Sequence, residues 1–382
     1  MNPTRAEIDF ARLSHNLESI KKHLHKHSPK KRVKICGVVK ANAYGHGLEK
    51  VSEKLIGLGV DYLGVANYDE AIRLRKLIPD APILVFGTLI HSKLQPERYV
   101  SILVKNNLIA TVASLDTAKF LDYYSGRLRK KFRVHIKVDT GMKRIGFDVK
   151  RAFKNIQQVF AMKNIIVEGI FTHFATSEAK NKFFAYQQLG RFIDLLDELR
   201  KNKYHIPIVH SANSGAVLDI PESYFDMVRP GLILYGYYPS NEVKNKIDIV
   251  PVMNFKSKVT FIKKVDARTS ISYGRLYYTK NPSFIGSVPV GYGDGYWRML
   301  TNKSKVYINK KLYKTVGAIT MDWMMINLGE KSKVRVGDDV LLMGQENGAK
   351  MGADKLSKLI GAIPYEMVCS VADRVNRIYL NE

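Results

Sequence analysis

The stretch Ile35-Cys36-Gly37-Val38-Val39-Lys40-Ala41-Asn42-Ala43-Tyr44-Gly45-His46-Gly47 decides how this chain is read. Ile35–Val39 has the length and apolar character of a buried strand, and Lys40 follows it without a break. The glycines after it suit a tight turn into a helix. A lysine that ends a buried strand faces the mouth of a parallel barrel, where the active sites of that architecture sit. In surroundings that disfavour charge its amine pKa falls, which makes it a better nucleophile toward an aldehyde. Taken alone, Lys40 fits equally well a lysine that snorkels off a strand end.

Working outward, seven further runs of strand length follow, each bounded by turn or polar residues. They are Tyr62–Ala66, Ile83–Gly87, Ala110–Ala113, Val134–Val138, Val167–Thr172, Ile208–His210 and Met227–Leu234. Between them lie amphipathic segments of helix length, clearest in Phe183, Tyr186, Leu189, Phe192, Leu195 and Leu196. This alternation predicts an α/β chain beginning with a parallel (β/α)8 barrel. A doubly wound sheet is the competitor, but its glycine-rich phosphate fingerprint after the first strand is missing. After Pro251 the texture changes to short β-rich runs, Phe284–Val290, Tyr307–Tyr313 and Val340–Met343, with one helix near Ala353–Ile360. The expected division is a barrel over residues 1–245 and a mostly β domain over 246–382.

The formal net charge is +26, from 61 basic and 35 acidic residues, which raises the question of nucleic acid. The lysines are scattered, and no basic helix, zinc spacing or RNA-recognition motif accompanies them. The excess reads as a solvated surface that draws in phosphates and carboxylates, and no nucleic-acid partner is expected. Two cysteines, Cys36 and Cys369, form no disulfide framework and point to a reducing compartment. The opening residues carry no signal-peptide pattern, and no stretch approaches the roughly 20 apolar residues of a membrane helix. The expectation is a cytoplasmic protein without a membrane partner.

The other unusual residues also fall at strand C-termini. Arg144 follows the fifth strand, His173 closes the sixth, Asn213 and Ser214 follow the seventh, and Arg229-Pro230-Gly231 lies on the eighth. Singly, His173 fits a satisfied structural histidine and Ser214 a helix N-cap. Their convergence on one barrel face, where the active sites of this architecture sit, is harder to explain structurally.

Val38-Val39-Lys40-Ala41-Asn42-Ala43-Tyr44-Gly45-His46-Gly47 resembles the cofactor-lysine segment of the bacterial alanine racemase family. The resemblance runs from Arg5-Ala6-Glu7-Ile8-Asp9 to Arg374-Val375-Asn376-Arg377, through Ser272-Tyr273-Gly274, Gly291-Tyr292-Gly293-Asp294-Gly295-Tyr296 and Met321-Asp322. It implies that Lys40 carries pyridoxal 5'-phosphate, with the phosphate held by Tyr44, Ser214 and backbone around Gly231 and Leu232. Arg229 would face the pyridine nitrogen, with His173 supporting it. Racemisation needs proton removal from one face of Cα and delivery to the other. The resemblance assigns Lys40 to the D-alanine face and Tyr273 to the L-alanine face. Without the Ser-Tyr-Gly context, Tyr273 would be an ordinary tyrosine of a β domain. Arg144 and the backbone of Met321 would hold the substrate carboxylate. Lys137 matches a lysine that is carbamylated in some members, a plain lysine being the alternative.

The resemblance also implies a homodimer with shared active sites, each β domain capping its partner's barrel, and a supply of D-alanine for peptidoglycan. The chain departs from the family pattern at Ala318, where many members have an entry-channel arginine whose acidic partner's place is held here by Glu178, and at Asp373, which replaces a gate tyrosine. Tyr292 and Arg298 keep other channel positions. A racemase acting on serine or a broader range of amino acids is the alternative within this class. A barrel decarboxylase of basic amino acids lacks the Ser-Tyr-Gly and Met-Asp pairing, and a cofactor carrier of this barrel type usually lacks the β domain.

Overall fold

Each of the eight apolar runs forms a strand, and the strands close into a ring. The computed structural model describes residues 3–89 and 96–382. The barrel strands are Lys34–Val38, Tyr62–Val65, Ile83–Val85, Ile109–Val112, Phe132–Asp139, Ile165–Phe171, Ile208–His210 and Met227–Val228. Every neighbouring pair is parallel, and Ile35 of the first strand lies opposite Val228 of the last. Side chains alternate across each strand, so one set points into the ring and the other meets the helices. The inward set includes Cys36, Tyr62, Leu84, Ile109, Ile208 and Met227, a small apolar cluster separate from the main core. The outward set, such as Leu63, Ile83, Val134 and Ile170, joins the large core beneath the helices.

Two apolar runs are shaped differently from expectation. Met227–Leu234 stops as a strand at Val228, and Leu232–Tyr235 winds into a 3-10 turn closed by Gly236. A short, fully buried apolar run satisfies either geometry, and here Pro230 and Gly231 break the ladder. Tyr307–Tyr313 is a hairpin, Lys305–Ile308 against Lys311–Thr315, whose turn places Asn309 and Lys310 at φ 49 and 62. Both turn residues with positive φ match the twist of a two-residue hairpin. The helix expected near Ala353–Ile360 is Ala353–Lys358.

The second unit is a mostly antiparallel sheet. One of its strands, next to the edge, comes from the head of the segment assigned to the barrel: Arg5–Asp9 runs antiparallel to Met253–Lys258 and parallel to Asn376–Leu380. Apolar Ala6 and Ile8 of this strand are fully buried. Asp9 then caps the helix Phe10–His27, accepting from the Ala11 and Arg12 N–H groups. The chain therefore starts in the second sheet, builds the barrel, and returns.

Gly236 makes the return sharp, with φ +86 and space so tight that a Cβ would lie 1.9 Å from the Val250 carbonyl oxygen. Gly236→Ala is expected to cost about 2 kcal/mol or more, combining a left-handed backbone with a collision. Urea unfolding measures this, and an unchanged midpoint would contradict the account.

Candidate active site

The chain leaves the first barrel strand through a left-handed turn. Ala41, Asn42, Ala43 and Tyr44 have φ of 53, 54, 51 and 53, although none is glycine. Such a conformation costs roughly 1–2 kcal/mol per residue and persists only where surroundings over-determine it. Here they do. The Ala43 N–H donates to Val39 O at 2.8 Å, Gly45 N–H to Ala41 O at 3.0 Å, and Gly47 N–H to Asn42 O at 2.9 Å. The Glu70 carboxylate accepts from Ala41 N–H at 2.7 Å and, with its other oxygen, from Ala66 N–H at 2.8 Å. Asn42 accepts from Leu48 N–H at 2.8 Å and donates to Asp373 at 3.2 Å. Arg377, from the second unit, donates to the Gly45 carbonyl at 3.1 Å. His46 Nδ1 faces the Tyr44 carbonyl at 2.8 Å, which can only accept, so that nitrogen carries the proton. Clamped in this way, the turn sets Lys40 at the barrel mouth.

Lys40 opens onto a cavity of about 140 Å3 at the C-terminal ends of the strands. Its walls include Tyr44, Phe86, Lys137, Arg144, Phe171, His173, Asn213, Ser214, Arg229, Gly231 and Tyr365. Four of the lining residues are cations, Lys40, Lys137, Arg144 and Arg229, and none of the described lining residues is a carboxylate. Burial and then the Arg144 charge lower the Lys40 pKa from its ordinary value. Lys137 is buried, and desolvation with the Arg229 charge brings it down to about 7. Its Nζ donates to the Val138 carbonyl at 2.7 Å.

Arg229 is held from several sides. Its Nη2 donates to Thr172 O and Ser211 O, both at 2.9 Å, and lies 3.2 Å from His173 Nδ1. Nη1 lies 2.8 Å from His210 Nδ1. Burial pulls the guanidinium down to about 10, and burial together with the Arg229 charge drives His173 well below the usual imidazole range. Across the cavity Tyr44 stacks on Tyr235 with centroids 4.8 Å apart, and its hydroxyl lies where a Gly231 Cβ would come within 2.5 Å of it. The Gly231 N–H donates to Ser214 Oγ at 2.9 Å. Hydroxyls, backbone N–H groups and a glycine at this corner make a cradle suited to a phosphate, and the surplus of positive charge calls for one. The residues present therefore fit an anionic, aldehyde-bearing cofactor.

Of the larger clefts among the described residues, the two with volumes of about 400 Å3 lack this character. One, beside Lys21, His25 and Lys31, lies next to Ile35 at the opposite end of the first strand, and the other lies between Tyr237 and Pro364.

Residues 8–239 match the family described as alanine racemase, N-terminal domain, and residues 252–379 the alanine racemase C-terminal domain. The chain belongs to the alanine racemase family. It is 42% identical to alanine racemase 2 of Caldanaerobacter subterraneus subsp. tengcongensis, over 100% of this chain and 95% of that one. It is 40% identical to alanine racemase 1 of Clostridium acetobutylicum, over 100% and 96%. Among solved structures, the alanine racemase of Clostridium difficile 630 superposes with a TM-score of 0.91 at 38% identity, covering 99% of this chain and 96% of that one.

Of the residues expected at an alanine racemase site, the cavity gathers Lys40, Tyr44, Lys137, Arg144, His173, Ser214, Arg229 and Gly231. Leu232 is buried directly behind Gly231. Tyr273 and Met321 do not line the cavity of their own chain and are 78% and 53% exposed. Ser272, at φ 65, donates to the Ala318 carbonyl at 2.8 Å, so the segment before Tyr273 is tied to the position where the entry arginine is missing. Asp373, the other departure from the family pattern, accepts from Asn42. Sequence reasoning passed over Glu70, His135, His210 and Tyr365. A histidine spaced two residues from Lys137 on one strand was the available signal for His135.

His46 and His135 are buried and neutral, with desolvation lowering them to about 4 and about 3. An unfolded histidine binds its proton near 6.5, so below that pH the unfolded chain holds more protons than the folded one. Stability should therefore fall as pH drops from 6.5 toward 3. Urea midpoints across this window test the sign, and a flat or rising midpoint would refute it.

Proposed function

We propose that this chain interconverts L- and D-alanine, using pyridoxal 5'-phosphate held on Lys40. The observation that carries this reading is a cavity with no carboxylate among its described lining residues, where a strand-end lysine stands with three other cations. Two anions, the cofactor phosphate and the substrate carboxylate, balance that charge. Tyr44, Ser214 and the backbone around Gly231 and Leu232 would hold the phosphate. Arg229, which as a guanidinium can only donate, would face the pyridine nitrogen and leave it unprotonated. When bound, the cofactor supplies an electron sink that acidifies the substrate Cα–H.

Lys40, its pKa lowered, offers an amine that moves the proton on the D-alanine face. Arg144 and the Met321 backbone hold the substrate carboxylate. Tyr273 serves the L-alanine face, and because it is exposed away from its own cavity it acts in the site of a second copy. The same unit exposes Leu276, Tyr292, Met299 and Trp323, apolar surface that a two-fold partner would cover. The homodimer closes the pocket against water. Among the described residues no helix is long and apolar enough to cross a membrane. We place the enzyme in the cytoplasm, with D-alanine for peptidoglycan as its product.

Mixing Lys40→Ala and Tyr273→Ala subunits tests the chemistry and the sharing together. Each homodimer should be nearly inactive in a coupled L-/D-alanine assay. Random reassortment of equal amounts should restore roughly a quarter of wild-type sites, since each heterodimer keeps one site intact. Demonstrated subunit exchange without recovery would overturn the shared site.

Lys137 is an amine titrating near neutrality beside Arg229 and Arg144, so its neutral form can add to carbon dioxide with loss of one proton. The resulting carbamate would bring an anion among the cations and orient Arg144. With 13C-bicarbonate, a carbamate carbon resonance should appear in the wild type and vanish in Lys137→Gln. An identical spectrum for both proteins would leave Lys137 a plain lysine.

A further inference from the structure

The barrel interior contains a second polar layer beneath the cavity, which none of the roles above uses. Alternation along Phe132–Asp139 puts Arg133, His135, Lys137 and Asp139 on one face of the strand. Beneath Lys137, His135 Nδ1 lies 2.8 Å from His210 Nε2, and His210 Nδ1 lies 2.8 Å from Arg229 Nη1. Both imidazoles are fully buried. Gly169 makes room for the first of them, since a Cβ there would lie 2.6 Å from the His135 ring. The Phe171 ring stacks on the second at 4.8 Å and an interplanar angle of 10°.

The protons in this chain have only one consistent arrangement. A guanidinium has no acceptor, so His210 Nδ1 must accept from Arg229. Desolvation and the nearby Arg229 charge keep His210 neutral, which puts its single proton on Nε2. That N–H points at His135 Nδ1, which must therefore accept, leaving the His135 proton on Nε2. Among the described residues, His210 is also the only protein acceptor of Arg229 Nη1, whereas Nη2 has Thr172, Ser211 and His173. The orientation of Nη1 thus depends on the tautomer of His210, and that tautomer depends on an acceptor at position 135.

We propose that His135 is a positioning residue for Arg229: by accepting from His210 it fixes the tautomer in which His210 accepts from the arginine, and so aims the guanidinium at the cofactor ring. The aim at the cofactor rests on the function proposed above, whereas the tautomer assignment does not. A histidine without an acceptor at 135 leaves its Nε2 proton buried and unpaired, so only the Arg229 bond still favours that tautomer. It can place an N–H against Arg229 instead, turning Nη1 away.

The test uses the 15N-histidine-labelled holoenzyme and two variants, His135→Leu, which removes the acceptor, and His135→Asn, whose side-chain oxygen can take the place of Nδ1. In the wild type, the ring nitrogens of His210 should read as bare Nδ1 and protonated Nε2. The leucine variant should lose that pattern and lower kcat about ten-fold at little changed KM, the scale expected for an outer partner that orients a site group. The pH at which its bound cofactor changes absorbance should also shift. The asparagine variant should restore the nitrogen pattern, the absorbance titration and most of kcat. A wild-type His210 protonated on Nδ1, or leucine and asparagine variants that behave alike, would overturn the proposal. Should His135→Leu fail to fold, the wild-type nitrogen pattern and its retention in His135→Asn decide it. If Arg229 does not face the cofactor, Arg229→Lys will leave the absorbance titration unmoved while the His210 pattern still stands, so the two failures are distinguishable.

Discussion

Four cations turned toward one small space repel each other, and none of the described residues lining it is a carboxylate. The rest of the site follows from that constraint. Burial first, and the repulsion after it, lowers the Lys40 and Lys137 amine pKa values and keeps the histidines around Arg229 neutral. Arg229 is satisfied by carbonyl oxygens and imidazole nitrogens, which accept hydrogen bonds without contributing a negative charge. The cavity therefore has anion-binding capacity that the protein does not itself consume. A ligand with two separate negative groups is the chemical complement of such a space.

Holding that charge in place requires a stiff frame, and the left-handed turn after Lys40 is its most strained part. Its supports come from three directions: Glu70 behind the second strand, Asp373 through Asn42, and Arg377 through the Gly45 carbonyl. Two of these three belong to the second unit. Barrel and sheet are thereby joined at the turn beside Lys40, so a disturbance of the far end of the chain reaches that turn through a few hydrogen bonds. The Asp373 found in place of a gate tyrosine has a structural task here, whatever it does at the entrance.

The strands were legible because each is an apolar run between polar or glycine-containing breaks, and the ring followed from their alternation with helices. Lys40, Arg144, His173, Ser214 and Arg229 were legible for the same reason, as polar residues at the ends of those runs. The turn at Ala41–Tyr44 was not, since alanine favours right-handed helices and the groups that force it lie far away in sequence. The 3-10 winding of Leu232–Tyr235 was hidden because a fully buried run carries no periodic contrast. His210 and His135 were invisible as a pair: only closure of the ring brings strands five and seven close enough for one imidazole to reach the other. The solvent-facing position of Tyr273 is likewise a property of how the second sheet sits, not of the Ser-Tyr-Gly segment.

The strand Arg5–Asp9 lies between Met253–Lys258 and Asn376–Leu380 in the second sheet. During synthesis it emerges before any barrel strand, yet its antiparallel neighbour appears only after the whole barrel has been made, and its parallel neighbour later still. Until then its unpaired backbone and the apolar Ala6 and Ile8 are exposed on a nascent chain, a species prone to mispairing. Closing a loop that spans nearly the full polypeptide makes this pairing entropically late. The two units therefore cannot mature one after the other as beads on a string: the sheet is finished only when the last residues come back to the first.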